Sequence, residues 1–480
     1  MTKQEYAIKY ITENYLDYRR LRHDIVADKL QIRMADSLED ASLQNAPVGL
    51  QFRGSEYWRE MTKHDINSIV CHCAQEYDAN ITSREVMTAL QSDLIPDVHP
   101  LREYVLSCRE WTEEQPDWID FVASQVKVKT SPESATDHPK GLSERTACCQ
   151  TTMLLDRPYG ADRPMNLTSE AGLTVSEAHG LTSNSSQSER SKADRLWRGC
   201  FKKWFVAMVA SWMKDEVVNH QVLVLIGKQG IFKTTWLEHL IPPHLRAYAC
   251  KLANSNDLNK DERLRIAEFG LISLDEIDSM NNRELNQLKS VITATDVNER
   301  AAYAYTKERR VRLASFCASG NRRDFLTDIT GNRRWLPFEV ESIQNPFFTT
   351  LPYERMYAQA WALAQDPLFS YWFDLDEIEV LEKHNQHFRD ESNEEQLLPI
   401  LFDVPAEGRG EFMTTAQISE RLVTYGNIKK PMALSRLGMV LGAAGYQSTR
   451  PKIGGRLIRG WLVYQRDTDE IASLKRILKE

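Results

Sequence analysis

The chain has 480 residues, 27% of them charged, and a formal net charge of −8 at pH 7. This length predicts roughly two to four domains with sizeable cores, and the acidic balance excludes a protein coated in basic surface, so any nucleic-acid contact must be local. The sequence contains neither a long apolar run nor a signal-peptide pattern after Met1, which predicts a cytoplasmic protein without a membrane partner.

Residues 1–127 are predicted to form an N-terminal α+β domain. Apolar alternation at Ile25, Leu30 and Ile32 predicts a short strand pair, and helical periodicity follows it. Between 128 and 192 the apolar spacing disappears, and Ser, Thr, Pro, Gly and Asp dominate. Such a segment cannot bury enough apolar surface to offset its ordering entropy, so we interpret it as a flexible linker or insertion.

Residues 193–372 are predicted to form a domain with a parallel α/β sheet, which begins with an aromatic helix over 196–213. An apolar strand over 222–226 then leads to a loop and a helix, an arrangement typical of a nucleotide-binding P-loop, in which backbone N–H groups and the helix start surround phosphates. The candidate nucleotide-binding residues are Gly227, Gln229, Gly230, Lys233, Thr234 and Thr235.

Within this loop, Lys233 is expected to reach the β- and γ-phosphates of ATP, and the Thr234 hydroxyl to hold Mg²⁺. The pattern G-x-x-x-x-G-K-[ST] has glycine where this chain has Phe232. An ordinary strand-to-helix turn is the alternative interpretation. A second apolar run over 269–274 ends in Asp275 and Glu276. At this spacing after a P-loop, Asp275 is expected to bind Mg²⁺ and Glu276 to polarise the attacking water, although a helix cap is the alternative.

A third strand, predicted over 311–319, leads to Asn321, whose amide could hydrogen-bond the γ-phosphate or the lytic water. A simple turn residue is the alternative. Arg333 and Arg334 follow, between a Gly-Asn turn and another apolar strand. Guanidinium groups bind phosphate oxygens bidentately, although a solvated pair or a structural salt bridge has the same pattern.

Together these elements resemble the virulence-associated protein E family of phage and mobile-element ATPases, which is close to superfamily 3 helicases. The resemblance covers roughly residues 190–345 and is strongest over 325–335. The family normally has glycine at the place of Phe232, a departure that bears on the efficiency of hydrolysis more than on the fold. Weaker resemblance extends to the strand pair near the N-terminus and to His99-Pro100, where His99 is interpreted as positional and not catalytic.

Residues 373–405 are predicted to form a helical linker, and residues 406–480 a winged-helix-like domain. Two helices, at 414–422 and 434–446, precede a strand pair around Gly454-Gly455, which is the order of a winged helix. The segment 426–466 has eight basic residues and no Asp or Glu. Such a patch is typical of a duplex DNA-binding surface, with Arg450, Lys452 and Arg456 as candidate contacts, although a protein-docking module is the alternative.

The sequence therefore predicts a P-loop NTPase core related to the AAA+ and superfamily 3 helicase folds, flanked by an α+β domain and a winged helix. Its predicted function is that of a DNA-dependent ATPase, a helicase-like homo-oligomeric ring, with a hexamer expected. ATP and Mg²⁺ are the expected cofactors, and Arg333 or Arg334 is expected to act on the neighbouring subunit's nucleotide.

Single-stranded DNA is expected inside the ring, contacted by stacking and phosphate binding. The candidate pore residues are Tyr303, Tyr305, Lys307, Arg309 and Arg310. A solvated hairpin is the alternative for that segment. Two other functions remain open for the chain: an ATP-dependent loader or initiator that does not unwind DNA, and a DNA-binding regulator whose ATP site only switches its assembly.

Overall fold

The computed structural model describes residues 1–33, 58–129, 183–252, 260–299, 308–327, 332–405 and 410–477. Within these ranges the chain is a mixed α/β protein with several sheets. Met1–Lys129 and Asp194–Glu480 belong to one compact unit. Most of the predicted linker lies outside the described residues, but a helix begins at Ser183, inside the stretch that was predicted to lack structure.

Three helices and a four-stranded sheet form the amino-terminal part. Its elements are α1 (Lys3–Ile11), β1 (Leu21–Asp24), β2 (Lys29–Arg33), β3 (Trp58–Glu60), α2 (Lys63–Tyr77), α3 (Ser83–Leu90) and β4 (Asp97–Val98). The strand order is β3-β2-β1-β4, and the predicted strand pair is β1 and β2, with Ile25 in the turn between them. Thr2 and Thr62 begin α1 and α2 with reciprocal side-chain caps, which satisfy N–H groups that have no helical partner.

The central part is built on a six-stranded sheet of order β5-β12-β6-β11-β8-β7. The edge strand β5 is antiparallel to β12, and the other neighbouring pairs are parallel. A separate pair, β9 and β10, is antiparallel. The elements are α4 (Pro100–Ser107), α5 (Trp118–Ala123), β5 (Val126–Val128), α6 (Ser183–Met213), β6 (Val222–Ile226), α7 (Lys233–His239), β7 (Ala249–Leu252), α8 (Lys260–Glu268), β8 (Leu271–Leu274), α9 (Asn282–Thr293), β9 (Asp296–Glu299), β10 (Glu308–Val311), β11 (Ser315–Gly320), β12 (Trp335–Ile343), α10 (Tyr353–Gln365) and α11 (Leu375–Gln386).

Strand β6 is buried along its whole length because apolar cores cover both faces of the sheet. Leu223 and Leu225 point into the core that contains the aromatic residues of α6, whereas Val222, Val224 and Ile226 point into the opposite core. The helix predicted over 196–213 thus lies on one face of the sheet. Apolar residues of α4, α5 and β5 join the same core as α6.

Two strands differ from the sequence prediction. The strand predicted over 311–319 is interrupted between β10 and β11, where the Arg312 side chain turns inwards and is 1% exposed. Its guanidinium donates to the carbonyl of Ala294 at the end of α9, at 3.3 Å, and to that of Asn219 before β6, at 2.9 Å. The strand predicted over 269–274 begins only at Leu271, because Phe269 N still donates to Arg265 O in the helical manner.

The carboxy-terminal part packs helices against a small antiparallel sheet. Its elements are α12 (Asn393–Leu401), β13 (Phe402–Asp403), β14 (Glu411–Met413), α13 (Thr415–Gly426), α14 (Leu434–Ala443), β15 (Gln447–Thr449), β16 (Lys452–Ile453), β17 (Arg456–Leu457), β18 (Gly460–Gln465) and α15 (Thr468–Ile477). Strand β18 pairs with β13, β14 and β15. The hairpin of β16 and β17 turns at Gly454 and Gly455, whose φ values of 54° and 82° favour glycine.

The chain after β11 contacts the helices that lead to this part. Leu326 forms a parallel bridge with Arg389, and Asp390 N donates to Leu326 O at 2.8 Å. Arg436 of α14 donates to Thr327 O at 3.2 Å. Among the helices of the described ranges, none combines the length and the apolar character needed to span a bilayer.

Candidate functional site

The loop between β6 and α7 lies at the carboxyl edge of the central sheet. Gly227 N donates to Gly320 O at 3.1 Å, which joins the loop to the end of β11. A Cβ atom on Gly227 would lie 2.8 Å from Val340 O, so a side chain at this position would collide with β12. Gly230 has a φ of 84°, which favours glycine. Lys228, Gln229 and Gly230 are exposed, so the tip of the loop is open to a ligand.

Phe232 stands where the P-loop pattern has glycine, and its backbone explains that preference. Its φ of 67° and ψ of 19° are left-handed, a region that costs a residue with a Cβ atom roughly 1–2 kcal/mol. The half-buried Phe232 ring lies 6.4 Å from the ring of Phe347, in an edge-to-face arrangement. The loop thus keeps the conformation of a glycine while carrying an aromatic side chain.

Lys233 is buried and directs its ammonium group into the loop. Nζ donates to Gly227 O at 2.8 Å, to Lys228 O at 2.7 Å and to Asn321 Oδ1 at 3.3 Å. These acceptors are neutral oxygens. Burial lowers the pKa of Lys233, and the charges of Asp278 and Asp275 oppose this effect. A buried cation held by carbonyl groups is suited to exchange them for an anionic ligand.

Three oxygen-bearing side chains meet beside Lys233. Ser319 Oγ donates to Asp275 Oδ1 at 2.7 Å, and Thr234 Oγ1 lies 3.1 Å from the same oxygen and 2.9 Å from Ser319 Oγ. Lys251, at the end of β7, forms an ion pair with Asp275 Oδ2 at 2.7 Å. Burial raises the pKa of Asp275, but the hydrogen bonds from Lys251, Ser319 and Thr234 outweigh it, and the pKa is lowered.

A carboxylate and two hydroxyl groups are hard oxygen ligands of the kind that Mg²⁺ prefers, and they come here from α7, β8 and β11. The residues predicted to bind the metal, Thr234 and Asp275, are therefore brought together, and their chemistry fits the ion. The sequence did not single out Ser319 or Lys251. The signal for Ser319 in the sequence would have been a polar residue at the end of a predicted apolar strand.

Asn321 follows β11 and faces the same loop through its contact with Lys233. Its backbone N donates to Asp278 Oδ1 at 3.0 Å, and Arg322 N donates to Asp278 Oδ2 at 3.1 Å. Asp278, which the sequence analysis missed, thus fixes the turn that carries Asn321. Glu276 is exposed and has a left-handed φ of 52°, immediately after β8. Glu276 thus directly follows Asp275 after β8, and Asn321 directly follows β11, the neighbouring strand.

Arg333 and Arg334 lie at the opposite end of the sheet, where its parallel strands β12 and β6 begin. They form a 3-10 turn directly before β12, whose first residue Trp335 is paired with Val222 at the start of β6. The loop between β6 and α7 follows the last residue of β6, so the length of this strand separates the loop from the arginines by roughly 15 Å. Within one chain, the arginines are not brought to the loop.

The DNA-contact candidates divide into two groups. Tyr303, Tyr305 and Lys307 lie outside the described residues, and only the backbone of Arg309 is described, in β10. Arg310 forms ion pairs with Asp28 at 2.7 Å and Glu268 at 3.6 Å.

In the hairpin of β16 and β17 the basic candidates are exposed. They are Arg450, Lys452 and Arg456. By contrast, the neighbouring α14 exposes Leu434 and Met439, at 47% and 59%. The hairpin thus carries exposed basic residues, while the exposed residues of α14 are largely apolar, although the exposed Lys429 and Lys430 lie shortly before α14.

Comparison with known proteins supports the family resemblance drawn from the sequence. Residues 179–395 match the model of the virulence-associated protein E-like domain. This segment contains the loop after β6, Asp275, Asn321 and both arginines. No curated protein matched the chain.

Weak similarity to solved structures was also found. The apo structure of the NrS-1 C terminal region (305-718) has a TM-score of 0.44 and 10% identity, over 95% of this chain and 99% of the other. The A form apo structure of the same region has a TM-score of 0.41 and 10% identity, over 95% and 99%. Another A form apo structure of NrS-1 C terminal region-CTR has a TM-score of 0.41 and 11% identity, over 94% and 98%. Similarity at this level supports no conclusion about function.

Proposed function

We propose that this chain is an ATP hydrolase with a P-loop NTPase core, and that it works as a DNA-dependent, helicase-like motor in the replication of a phage or mobile element. The observation that carries the proposal is the meeting of Lys233, Thr234, Asp275 and Asn321 at one edge of a parallel sheet. Ligands of open α/β sheets bind at the carboxyl ends of the strands, where these side chains lie.

In this proposal Lys233 exchanges the carbonyls of Gly227 and Lys228 for phosphate oxygens. Thr234 and Asp275 would hold Mg²⁺, with Ser319 orienting the carboxylate through its hydrogen bond. The ion would neutralise phosphate charge when bound. Glu276, exposed beside Asp275, is the base that orients water, and Asn321 senses the terminal phosphate. Gln229, Gly230 and Thr235 complete the binding loop.

The position of the arginines supports their action between subunits. Since Arg333 and Arg334 lie at the edge opposite their own loop, either one would reach a nucleotide only on a neighbouring chain. A closed ring, with a hexamer as the expected form, would place each pair against the next subunit's site. A guanidinium supplied in this way stabilises charge in phosphoryl transfer.

DNA is the proposed partner at two places. Single-stranded DNA would pass through the ring beside the hairpin of β9 and β10, and duplex DNA would contact the exposed basic residues of the hairpin formed by β16 and β17. The order of elements from α12 to β18 supports a winged helix. The apolar exposed residues of α14 favour a second candidate for this module, the docking of a protein partner, which a loader or regulator would need.

ATP hydrolysis by the purified chain, measured with and without single-stranded DNA, tests the proposal. Lys233→Ala should weaken ATP binding, whereas Glu276→Gln should retain binding and lose turnover. Normal turnover in Glu276→Gln would remove its assignment as the base. Strand displacement supports the helicase, turnover without displacement supports a loader, and binding without turnover supports a regulator.

A further inference from the structure

Three aromatic side chains lie in or beside the loop after β6 and the helix α7 that follows it. Phe347, in the turn after β12, has its ring 6.4 Å from that of Phe232 and 5.6 Å from that of His239, both in edge-to-face arrangements. Phe347 is 69% exposed and the adjacent Phe348 is 88% exposed. We call Phe232, His239 and Phe347 the aromatic cluster.

The direction of a bound triphosphate follows from the strand order. Strands β11 and β8, which are directly followed by Asn321 and Asp275, lie on one side of β6, and β12 lies on the other. A terminal phosphate beside Asp275 and Asn321 leaves the nucleoside to extend over the loop towards β12. The base of the nucleotide therefore needs a partner near the end of β12.

Strand β12 continues past the end of β6, next to the loop that follows β6. Glu339 is paired with the last residue of β6, Ile226, and β12 continues to Ile343. The following turn is fixed by Asn345, whose Oδ1 accepts from Phe347 N at 3.0 Å and whose O accepts from Phe348 N at 3.1 Å. Hydrogen bonds to Asn345 rather than burial thus hold Phe347 in place, and they leave its ring largely accessible.

We propose that the aromatic cluster is the base-binding part of the nucleotide site, with Phe347 as the stacking surface for the base of a nucleoside triphosphate. Stacking on an aromatic ring suits any base because every base has a π face. Phe232 and His239 support the Phe347 ring by edge-to-face contact, and Tyr353 holds the end of α7 by donating to His239 O at 2.7 Å. This inference rests on the proposed binding of nucleotide at the loop, and it gives Phe232 a role that glycine would not fill.

The test is calorimetric titration of the full chain with ATP and with inorganic tripolyphosphate, each with excess Mg²⁺. Tripolyphosphate has the phosphates but no base. The wild type should bind ATP about tenfold more tightly than tripolyphosphate, and Phe347→Ala should weaken ATP binding about tenfold with unchanged tripolyphosphate affinity. Phe347→Trp should retain ATP affinity. Tyr18→Ala removes an aromatic ring of similar exposure, 66%, from the amino-terminal part and should alter neither affinity.

Each other outcome is decisive. Equal weakening for both ligands in Phe347→Ala would mean that the turn shapes the phosphate loop, and no weakening for either would mean that the base lies elsewhere. Both results would overturn the base-stacking role, but neither would contradict the proposed phosphate site, because the wild type would still bind both ligands. A wild type that binds neither ligand would instead overturn the proposed nucleotide site itself, and the inference with it.

Discussion

At Phe232, in the loop after β6, the backbone conformation favours glycine whereas the side-chain contact requires an aromatic residue. Its left-handed φ of 67° favours glycine, yet its ring contacts Phe347. Glu276 has a similar conformation, with a φ of 52°, two residues after the end of β8. Strain of this kind persists where the surrounding structure fixes the backbone, and it is frequent at functional sites.

Replacing Phe232 by glycine and by alanine separates the effect of the backbone conformation from the effect of losing the ring contact. Both changes remove the ring contact with Phe347, but only glycine relieves the left-handed strain. We expect Phe232→Gly to be more stable than Phe232→Ala by about 1 kcal/mol in urea-induced unfolding, because a Cβ atom is disfavoured in this region.

Lys228 provides the matched control in the same loop, since it is not among the residues with positive φ. There the order should reverse, with Lys228→Gly less stable than Lys228→Ala, because glycine gains more entropy on unfolding. If Phe232→Gly were no more stable than Phe232→Ala, the backbone at this position would not be strained.

At the scale of elements, the sequence predicted what is local and missed what the topology creates. Strand β6, the loop after it and the Asp275-Glu276 pair are visible because each is a contiguous pattern. Ser319 and Lys251 are not, because their contact with Asp275 exists only once β11 and β7 flank β8 in the sheet. The break between β10 and β11 was missed for a similar reason, since the carbonyls that Arg312 satisfies belong mainly to α9 and the residues after it.

Where α11 packs on β12, one histidine side chain is expected to make the stability of the protein depend on pH. His384 Nε2 donates to Pro337 O at 2.7 Å, and its ring lies 5.0 Å from that of Phe338. Burial lowers the pKa of His384 to about 4, against the opposing effect of the Pro337 hydrogen bond. The folded state therefore holds this histidine neutral where the unfolded chain, with a pKa near 6.5, takes up a proton.

Because the folded pKa lies below the unfolded one, stability falls as the pH drops from about 6.5 towards 4. Glutamine can retain the donor to Pro337 O without titrating. We expect the free energy of unfolding of the wild type to fall between pH 7 and pH 5 by about 2 kcal/mol more than that of His384→Gln. Parallel pH profiles for the two proteins would contradict this assignment.

At the scale of the whole molecule, side-chain networks join the parts around the sheet. The buried Asp24 of β1 accepts from Tyr248 Oη at 2.6 Å, and Asp28 of the same hairpin forms an ion pair with Arg310 of β10. Arg436 of α14 joins the carboxy-terminal part to the chain after Asn321. The amino-terminal and carboxy-terminal parts are thus each joined to the central part by polar side-chain contacts.

The proposed ring makes a prediction about mixed assemblies. If Arg334 acts on the neighbouring site, Arg334→Ala subunits keep an intact Glu276 that an arginine from a Glu276→Gln subunit can complete. Mixing the two inactive proteins should restore part of the ATPase activity, because some interfaces then contain one intact residue of each kind. The same mixture with Arg333→Ala identifies which arginine is used. Intact oligomers without any recovery for either arginine would make both residues structural.

Variants in the hairpin of β16 and β17 test whether the carboxy-terminal module binds DNA or protein. Reversing Arg450, Lys452 and Arg456 to Glu should lower duplex affinity, and the slope of log affinity against log salt should fall by about 0.9 for each phosphate that the variant no longer neutralises. The exposed residues Lys3, Lys63 and Arg84, reversed together in the amino-terminal part, give a protein of equal net charge in which both quantities should be retained.

A variant of the exposed apolar residues of α14 tests whether this helix contributes to DNA binding. Leu434→Ser with Met439→Ser should leave duplex binding intact if the hairpin makes the contact, since neither residue carries charge and both are exposed. Weaker DNA binding by this variant, with no effect of the charge reversal, would place a major-groove contact on α14 instead. If neither variant changed the affinity or the salt slope, the module would be a protein-docking domain, and the DNA contacts would have to lie in the ring or in the amino-terminal part.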